Sequence, residues 1–282
     1  MRKKWLRAGL YGHFSMWTHS MRTGLMAVFI LLLAFMLARG QAQVLPVYGF
    51  ERVYLGETLF VYANSGFNLT MTSVGFLVMM SELPKRVSYQ QYTLIRLSRR
   101  KWLTSLIVFT LSAAFVFIVL LAAFSALFSL PFVSLGSGWS DLERLADNPD
   151  AVFGAQLVQA YIRELSPAGA FVLAMTVLYL FWATLALIIL LFSLMGAPNF
   201  GVVFCVSLVM ANITILFESL PGAGAVLPTR FATLAAVTGQ VFEHRLRYVG
   251  WVVLGYIGVD ALLIVAMVVR VMHMDLRFIG KE

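Results

Sequence analysis

The stretch Ala168–Leu194, AGAFVLAMTVLYLFWATLALIILLFSL, runs through Met195-Gly196-Ala197-Pro198-Asn199 into Phe200–Phe217, FGVVFCVSLVMANITILF, without a charged side chain. A helix rises about 1.5 Å per residue and needs about 20 apolar residues to cross about 30 Å of hydrocarbon. The two runs therefore read as neighbouring membrane spans joined by a tight turn. The whole chain has the same character, with 61% hydrophobic and 12% charged residues, far from the balance of a soluble domain.

Working outward, four more runs are long and apolar enough to be candidate spans: Thr23–Ala38, Asn64–Met80, Leu103–Leu130 and Val249–Val269. The first is short, but Arg22 and Arg39 at its ends can snorkel to the headgroups. Helices apolar all round suit lipid, where each backbone polar group must be satisfied inside the span. The fold class is all-α and polytopic, with six transmembrane helices in one transmembrane domain over residues 1–282.

Orientation follows from Lys and Arg near the span ends. The N-terminal segment carries Arg2, Lys3, Lys4, Arg7 and Arg22, and the second connection carries Lys85, Arg86, Arg96, Arg99, Arg100 and Lys101. Both belong in the cytoplasm. The third connection, with Asp141, Glu143, Asp147, Asp150 and Glu164 against Arg144 and Arg163, reads as external. Six spans return the tail with Arg270, Arg277 and Lys281 to the cytoplasm, so both termini are cytoplasmic in a bacterial inner membrane. The net charge of +8 is explained by topology and anionic lipid, and implies no nucleic-acid partner. Met36-Leu37-Ala38-Arg39-Gly40-Gln41-Ala42 has small residues after an apolar run, but the long polar lead with Trp5, Phe14 and Trp17 favours an uncleaved anchor over a signal peptide. The single cysteine, Cys205, lies inside a span and founds no disulfide framework.

The connections carry signals of their own. Residues 1–22 read as an interfacial helix, with Leu6, Leu10, Phe14, Trp17 and Met21 on one face and Lys4, Arg7 and Arg22 towards the other. In residues 82–102, Pro84 interrupts any helix leaving the second span, and Ser88 with Gln91 has capping-box spacing for a new one. That helix would present Tyr89, Tyr92, Arg96, Arg99 and Arg100 on one face. The external segment 131–166 holds a capping box at Ser140–Glu143 and an N-cap signal at Asn148-Pro149, followed by Val158, Tyr161, Ile162 and Leu165 at helical spacing. Residues 219–247 are largely apolar but broken by Pro221, Gly222, Gly224, Pro228 and Gly239, which suits short re-entrant helices covered by protein.

No catalytic arrangement emerges. His13, His19, His244 and His273 lie outside the spans without metal-ligand spacing, no Ser occupies a G-x-S-x-G turn, and no G-x-x-x-x-G-K-[ST] loop is present. The chain reads as no enzyme by itself and holds no cofactor or metal. Asp260 is the acid deep in a predicted span, where an ionised carboxylate costs about 3 kcal/mol on insertion scales and must face protein or water. Tyr256, one turn earlier, can hydrogen-bond to it, and Gly255 and Gly258 permit close helix approach. Asn68 and Asn212 stand in glycosylation-like triplets, but within spans they read as interhelical hydrogen-bonding groups.

The order of these parts resembles the permease subunits of bacterial type-2 ATP-binding cassette (ABC) exporters: an amphipathic start, six spans, a basic cytoplasmic segment, a tight turn between spans four and five, and re-entrant helices before span six. The run Ser81-Glu82-Leu83-Pro84-Lys85-Arg86, leading through Tyr92 and Arg96 to Arg99-Arg100-Lys101-Trp102, is similar to the coupling region of that family. The resemblance implies two permease copies or paralogues working with cytoplasmic ABC ATPase subunits, which would supply ATP and Mg. It implies that Tyr89, Tyr92, Arg96, Arg99, Arg100, Gly196 and Pro198 lie in the ATPase contacts. Asn212, Pro221, Pro228, Tyr256 and Asp260 are expected along the pathway or gate for an amphipathic or hydrophobic cargo. Rival readings are an ion-coupled secondary transporter using Asp260, and a non-transporting membrane scaffold or sensor.

Overall fold

The computed structural model describes residues 20–47, 54–64, 66–81, 98–134, 165–216 and 245–273, with Ser15, Gly136, Gly138, Trp139 and Ala232 as single or paired positions beside them. Seven α-helices run in chain order through these residues. They are α1 (Met21–Val47), α2 (Leu55–Asn64), α3 (Gly66–Met80), α4 (Arg99–Ser129), α5 (Pro167–Leu194), α6 (Pro198–Leu216) and α7 (Arg245–His273). A 3-10 turn, Leu130–Phe132, finishes α4. Among the described residues there is no β-strand, and one isolated bridge pairs Tyr54 with Ser134.

Three helices, α4 with its 3-10 turn, α5 and α7, are long and apolar enough to cross a membrane. Shorter apolar stretches occupy Thr23–Met36, Asn68–Met80 and Pro198–Ala211. All six sequence runs are thus largely helical; α1, α4 and α7 begin before their runs and α1 and α7 end beyond them, because the helix continues past the apolar part into polar flanks, whereas α3 begins two residues inside its run. Helix α2 is an addition: the second run was expected to begin at Asn64, and a separate helix precedes it. The interfacial segment lies outside the described residues apart from its last few positions. So does the stretch 82–97, most of 131–166 and, except for Ala232 and the start of α7, the segment 219–247.

Local sequence explains the ends of α5. Ser166 accepts the Gly169 N–H at 3.2 Å, and Pro167 follows at the first helical position, where its missing N–H costs nothing. At the other end the Gly196 N–H donates to Ser193 O at 3.1 Å and the Ala197 N–H to Phe192 O at 2.9 Å. These two bonds close the helix as a Schellman motif, which needs a left-handed residue after the C-cap. Gly196 supplies it with φ 88°, and Pro198 opens α6. The chain then reverses closely enough that a Cβ on Gly201 would stand 2.7 Å from Phe192 Cβ.

Helix α5 is the hub, touching α2, α3, α4, α6 and α7. Every residue from Phe181 to Leu187 is buried, so no lipid-facing stripe remains over those two turns. At its centre Trp182 stacks on Phe76 of α3 (5.5 Å, 17°) and meets Phe117 of α4 edge-on (4.9 Å, 77°). The Trp182 indole N–H donates to Ser73 Oγ at 2.9 Å, which satisfies the ring's polar edge where no water is at hand. Opposite, Gly75 of α3 admits Met26 and Phe29 of α1 so closely that a Cβ would lie 2.7 Å from Met26 Cε.

Candidate functional site

Two sets of side chains bear on function, one at an end of the bundle and one in its middle. At the end, Trp102, Leu103 and Leu106 of α4 pack with Leu187, Leu190 and Leu194 of α5 and with Met267 and Val271 of α7. That cluster brings the basic start of α4, the α5–α6 turn and the last turn of α7 together. Arg99 Nη1 donates to Met272 O at 3.3 Å. The last carbonyls of a helix have no partner within it, and a cation there also meets the negative end of the helix dipole. Arg99 is therefore half-buried and engaged within the chain, while Arg100 and Lys101 are exposed.

The turn residues Met195 to Phe200 are exposed as well. Gly196 and Pro198 have a clear structural duty there, since one closes α5 and the other starts α6. Of the remaining coupling candidates, Tyr89, Tyr92 and Arg96 lie outside the described residues.

At the opposite end, described residues of the segment 131–166, read as external, meet α2 and the start of α5. The Leu55 N–H donates to Ser134 O at 3.2 Å, and Trp139 donates through Nε1 to Leu165 O at 3.0 Å while its ring meets Phe60 edge-on at 5.8 Å. A Cβ on Gly56 would touch Pro167 Cβ at 3.3 Å. Beneath this clasp Glu57 is fully buried in the first turn of α2, where the positive end of the helix dipole favours an acid. Sequence reasoning missed Glu57 because the apolar run around it is short.

In the middle, Asp260 stands on the flank of α7 that meets α5, and is only partly covered. The oxygen Thr184 Oγ1 lies 2.6 Å from Asp260 Oδ1 and 3.0 Å from Leu180 O. A threonine hydroxyl has one proton and can accept as well as donate. With the carboxyl protonated, Asp260 donates to Thr184 and Thr184 donates to Leu180 O. With the carboxyl ionised, Thr184 turns its proton to Asp260, and Leu180 O keeps its helical bond. The pair can thus take or release a proton without stranding either side chain.

Tyr256, expected as the partner of Asp260, is buried one turn away with its ring against Phe181 (6.4 Å, 68°). No described atom comes within 4 Å of a Cβ placed on Gly255 or Gly258, so these glycines serve no close approach among the described residues. Asn212 lies in α6, whereas Pro221 and Pro228 lie outside the described residues. Among the described residues no group of three His, Cys, Asp or Glu is placed to hold a metal. Comparison with protein-family models, with curated proteins and with solved structures finds no match.

Proposed function

We propose that this chain is the six-span permease subunit of an ATP-driven exporter, paired with a cytoplasmic ABC ATPase and with a second permease copy or paralogue. The observation that carries the reading is the convergence at one end of the bundle. Three segments far apart in sequence meet there: the start of α4 and the end of α7, both read as cytoplasmic from their charge, and the uncharged α5–α6 turn, which the resemblance places on the same side. A partner docking on that face would touch Arg100, Lys101 and the exposed turn. Because Arg99 is bonded to the last turn of α7, movement at the docking face would pass directly into the helix that carries Asp260. Substrate would move along the permease dimer interface by alternating access between inward-open and outward-open states. The apolar character of the spans favours an amphipathic or hydrophobic cargo.

Purification of the tagged chain from its own membranes tests this. The expected result is copurification of a cytoplasmic polypeptide with a phosphate-binding loop, whose ATP hydrolysis changes when the permease is added. Replacing Arg96, Arg99 and Arg100 together by Lys keeps the charge that sets topology but removes forked contacts to carboxylates. The triple variant should insert normally and bind the ATPase less, each buried ion pair that it breaks costing about 2 to 5 kcal/mol. Absence of any such partner, or wild-type coupling in the triple variant, overturns the respective part of the proposal.

A second reading rests on the Asp260–Thr184 pair, whose two hydrogen-bonded states suit a proton-coupled transporter. Uptake or efflux by the reconstituted chain alone, driven by a proton gradient without ATP, would select it.

A further inference from the structure

Where the apolar parts of α1 and α4 end side by side, Phe35, Arg39, Leu127, Phe128, Pro131 and Phe132 line an open-sided cleft of about 350 Å³. Phe35 and Phe128 meet edge-on at 5.8 Å and 77° and hold its walls together. Phe35, Leu127 and Phe132 are each about half exposed, so the cleft faces the surroundings of the bundle. The proposed transport function uses none of these residues.

Arg39 is the one charged lining residue, and its level is fixed by sequence. The apolar stretch Thr23–Met36 ends just before it, whereas α1 itself continues to Val47. Across the cleft the 3-10 turn Leu130–Phe132 finishes α4. The guanidinium thus stands where hydrocarbon gives way to headgroups, beside a slot lined by aromatic and aliphatic side chains. Among the described residues no carboxylate pairs with it.

We propose that this cleft is a binding site for one anionic phospholipid, with an acyl chain against Leu127, Phe128 and Phe132 and the phosphate on Arg39. An apolar slot alone would take the tail of any lipid. The fork of the arginine fits the phosphate that every phospholipid carries, and its charge adds a preference for headgroups that bring no cation of their own to offset that phosphate. An arginine that merely snorkels to passing headgroups would leave no lipid held at fixed stoichiometry after purification. The proposal depends on the chain lying in a membrane and not on its being a permease, so the two can fail separately.

Native mass spectrometry of the full chain in detergent, with equal amounts of phosphatidylglycerol and phosphatidylcholine of matched tails, tests the site. One phosphatidylglycerol per chain should be retained about five-fold over phosphatidylcholine, the ratio corresponding to about 1 kcal/mol for one basic group. Arg39→Gln should bring the two lipids to parity, Arg39→Lys should keep part of the preference, and Leu127→Trp should lower binding of both by filling the slot. Equal retention by the wild type, or an unchanged preference in Arg39→Gln, overturns the proposal. Displacement by soluble glycerol phosphate at concentrations matching the lipid also overturns it, since the tail would then contribute nothing.

Discussion

Helices α5 and α7 are equal in mean hydropathy over their best membrane-length windows, yet 67% of one window is buried within the chain against 17% of the other. Hydropathy decides that both partition into lipid, and side-chain size decides which becomes the hub. In α5 the small residues Ala170, Ala174, Ala183 and Ala186 are buried beside Phe181 and Trp182, so neighbouring helices approach closely around large knobs. Small residues at contacts and dispersion in the packed centre drive association when lipid removes the usual hydrophobic force. In α7 the large side chains Trp251, Leu254, Leu262 and Val265 point outward at 58% exposure or more. Among the described residues, no atom comes within 4 Å of a Cβ placed on its glycines at 250, 255 and 258.

The comparison breaks most sharply at its two tryptophans. Trp182→Ala removes the ring between Phe76 and Phe117 and strands Ser73, so it should lower stability in a detergent unfolding titration by about 3 to 5 kcal/mol. Trp251→Ala removes an exposed ring and should stay within about 0.5 kcal/mol of wild type. Equal losses would mean that α7 is as deeply packed as α5, through contacts with another copy or another chain.

Glycines give the next, smaller contrast. Gly201→Ala in α6 drives a methyl into Phe192 at the α5–α6 reversal, an overpacking expected to cost about 1 to 3 kcal/mol. Gly255→Ala in α7 meets no described atom within 4 Å and should be neutral or gain up to about 1 kcal/mol from helix propensity. If Gly255→Ala leaves monomer stability intact but reduces crosslinking between copies, the open face of α7 is a subunit contact. That outcome would restore in the dimer the close-approach role that the sequence assigns to Gly255 and Gly258.

How far such contrasts were legible in advance depends on the kind of signal. Uninterrupted apolar runs mark the helices because lipid imposes that composition, and all six runs are helical. Their ends were not legible, since Arg99 and Arg245 continue their helices beyond the apolar part and hydropathy registers only the hydrocarbon. Helix α2 escaped notice because Glu57 interrupts a short run. Asp260 stood out as a lone acid in an apolar helix, but Thr184 did not, because a threonine among leucines looks like any other spacer. Pairing residues 76 apart in sequence requires knowing that α5 and α7 pack together. Sequence reads Gly196 and Pro198 as part of a tight turn and, by resemblance, of a docking contact; the Schellman bonds give Gly196, and the start of α6 gives Pro198, a structural role that any docking role must share.

The smallest expected effect concerns the polar seam between the two helices. Thr184→Val keeps the shape of the α5 surface but removes the hydroxyl 2.6 Å from Asp260. Interhelical hydrogen bonds in membranes average about 0.6 kcal/mol and reach about 1.7, so a loss of about 1 kcal/mol is expected in the same titration. Asp260→Asn should cost less, because its amide N–H can donate to Thr184 while Thr184 donates to Leu180 O, as in the protonated pair. Infrared absorption of the carboxyl separates the chemistry from the packing. A protonated Asp260 should give a carbonyl band that Asp260→Asn abolishes and Thr184→Val shifts to higher frequency through loss of its acceptor. If the wild type shows no such band while Thr184→Val still lowers stability, Asp260 is ionised and the seam is held by Thr184 donating to its carboxylate. In that case Asp260→Asn becomes the costlier change, because it exchanges a charge-assisted bond for a neutral one.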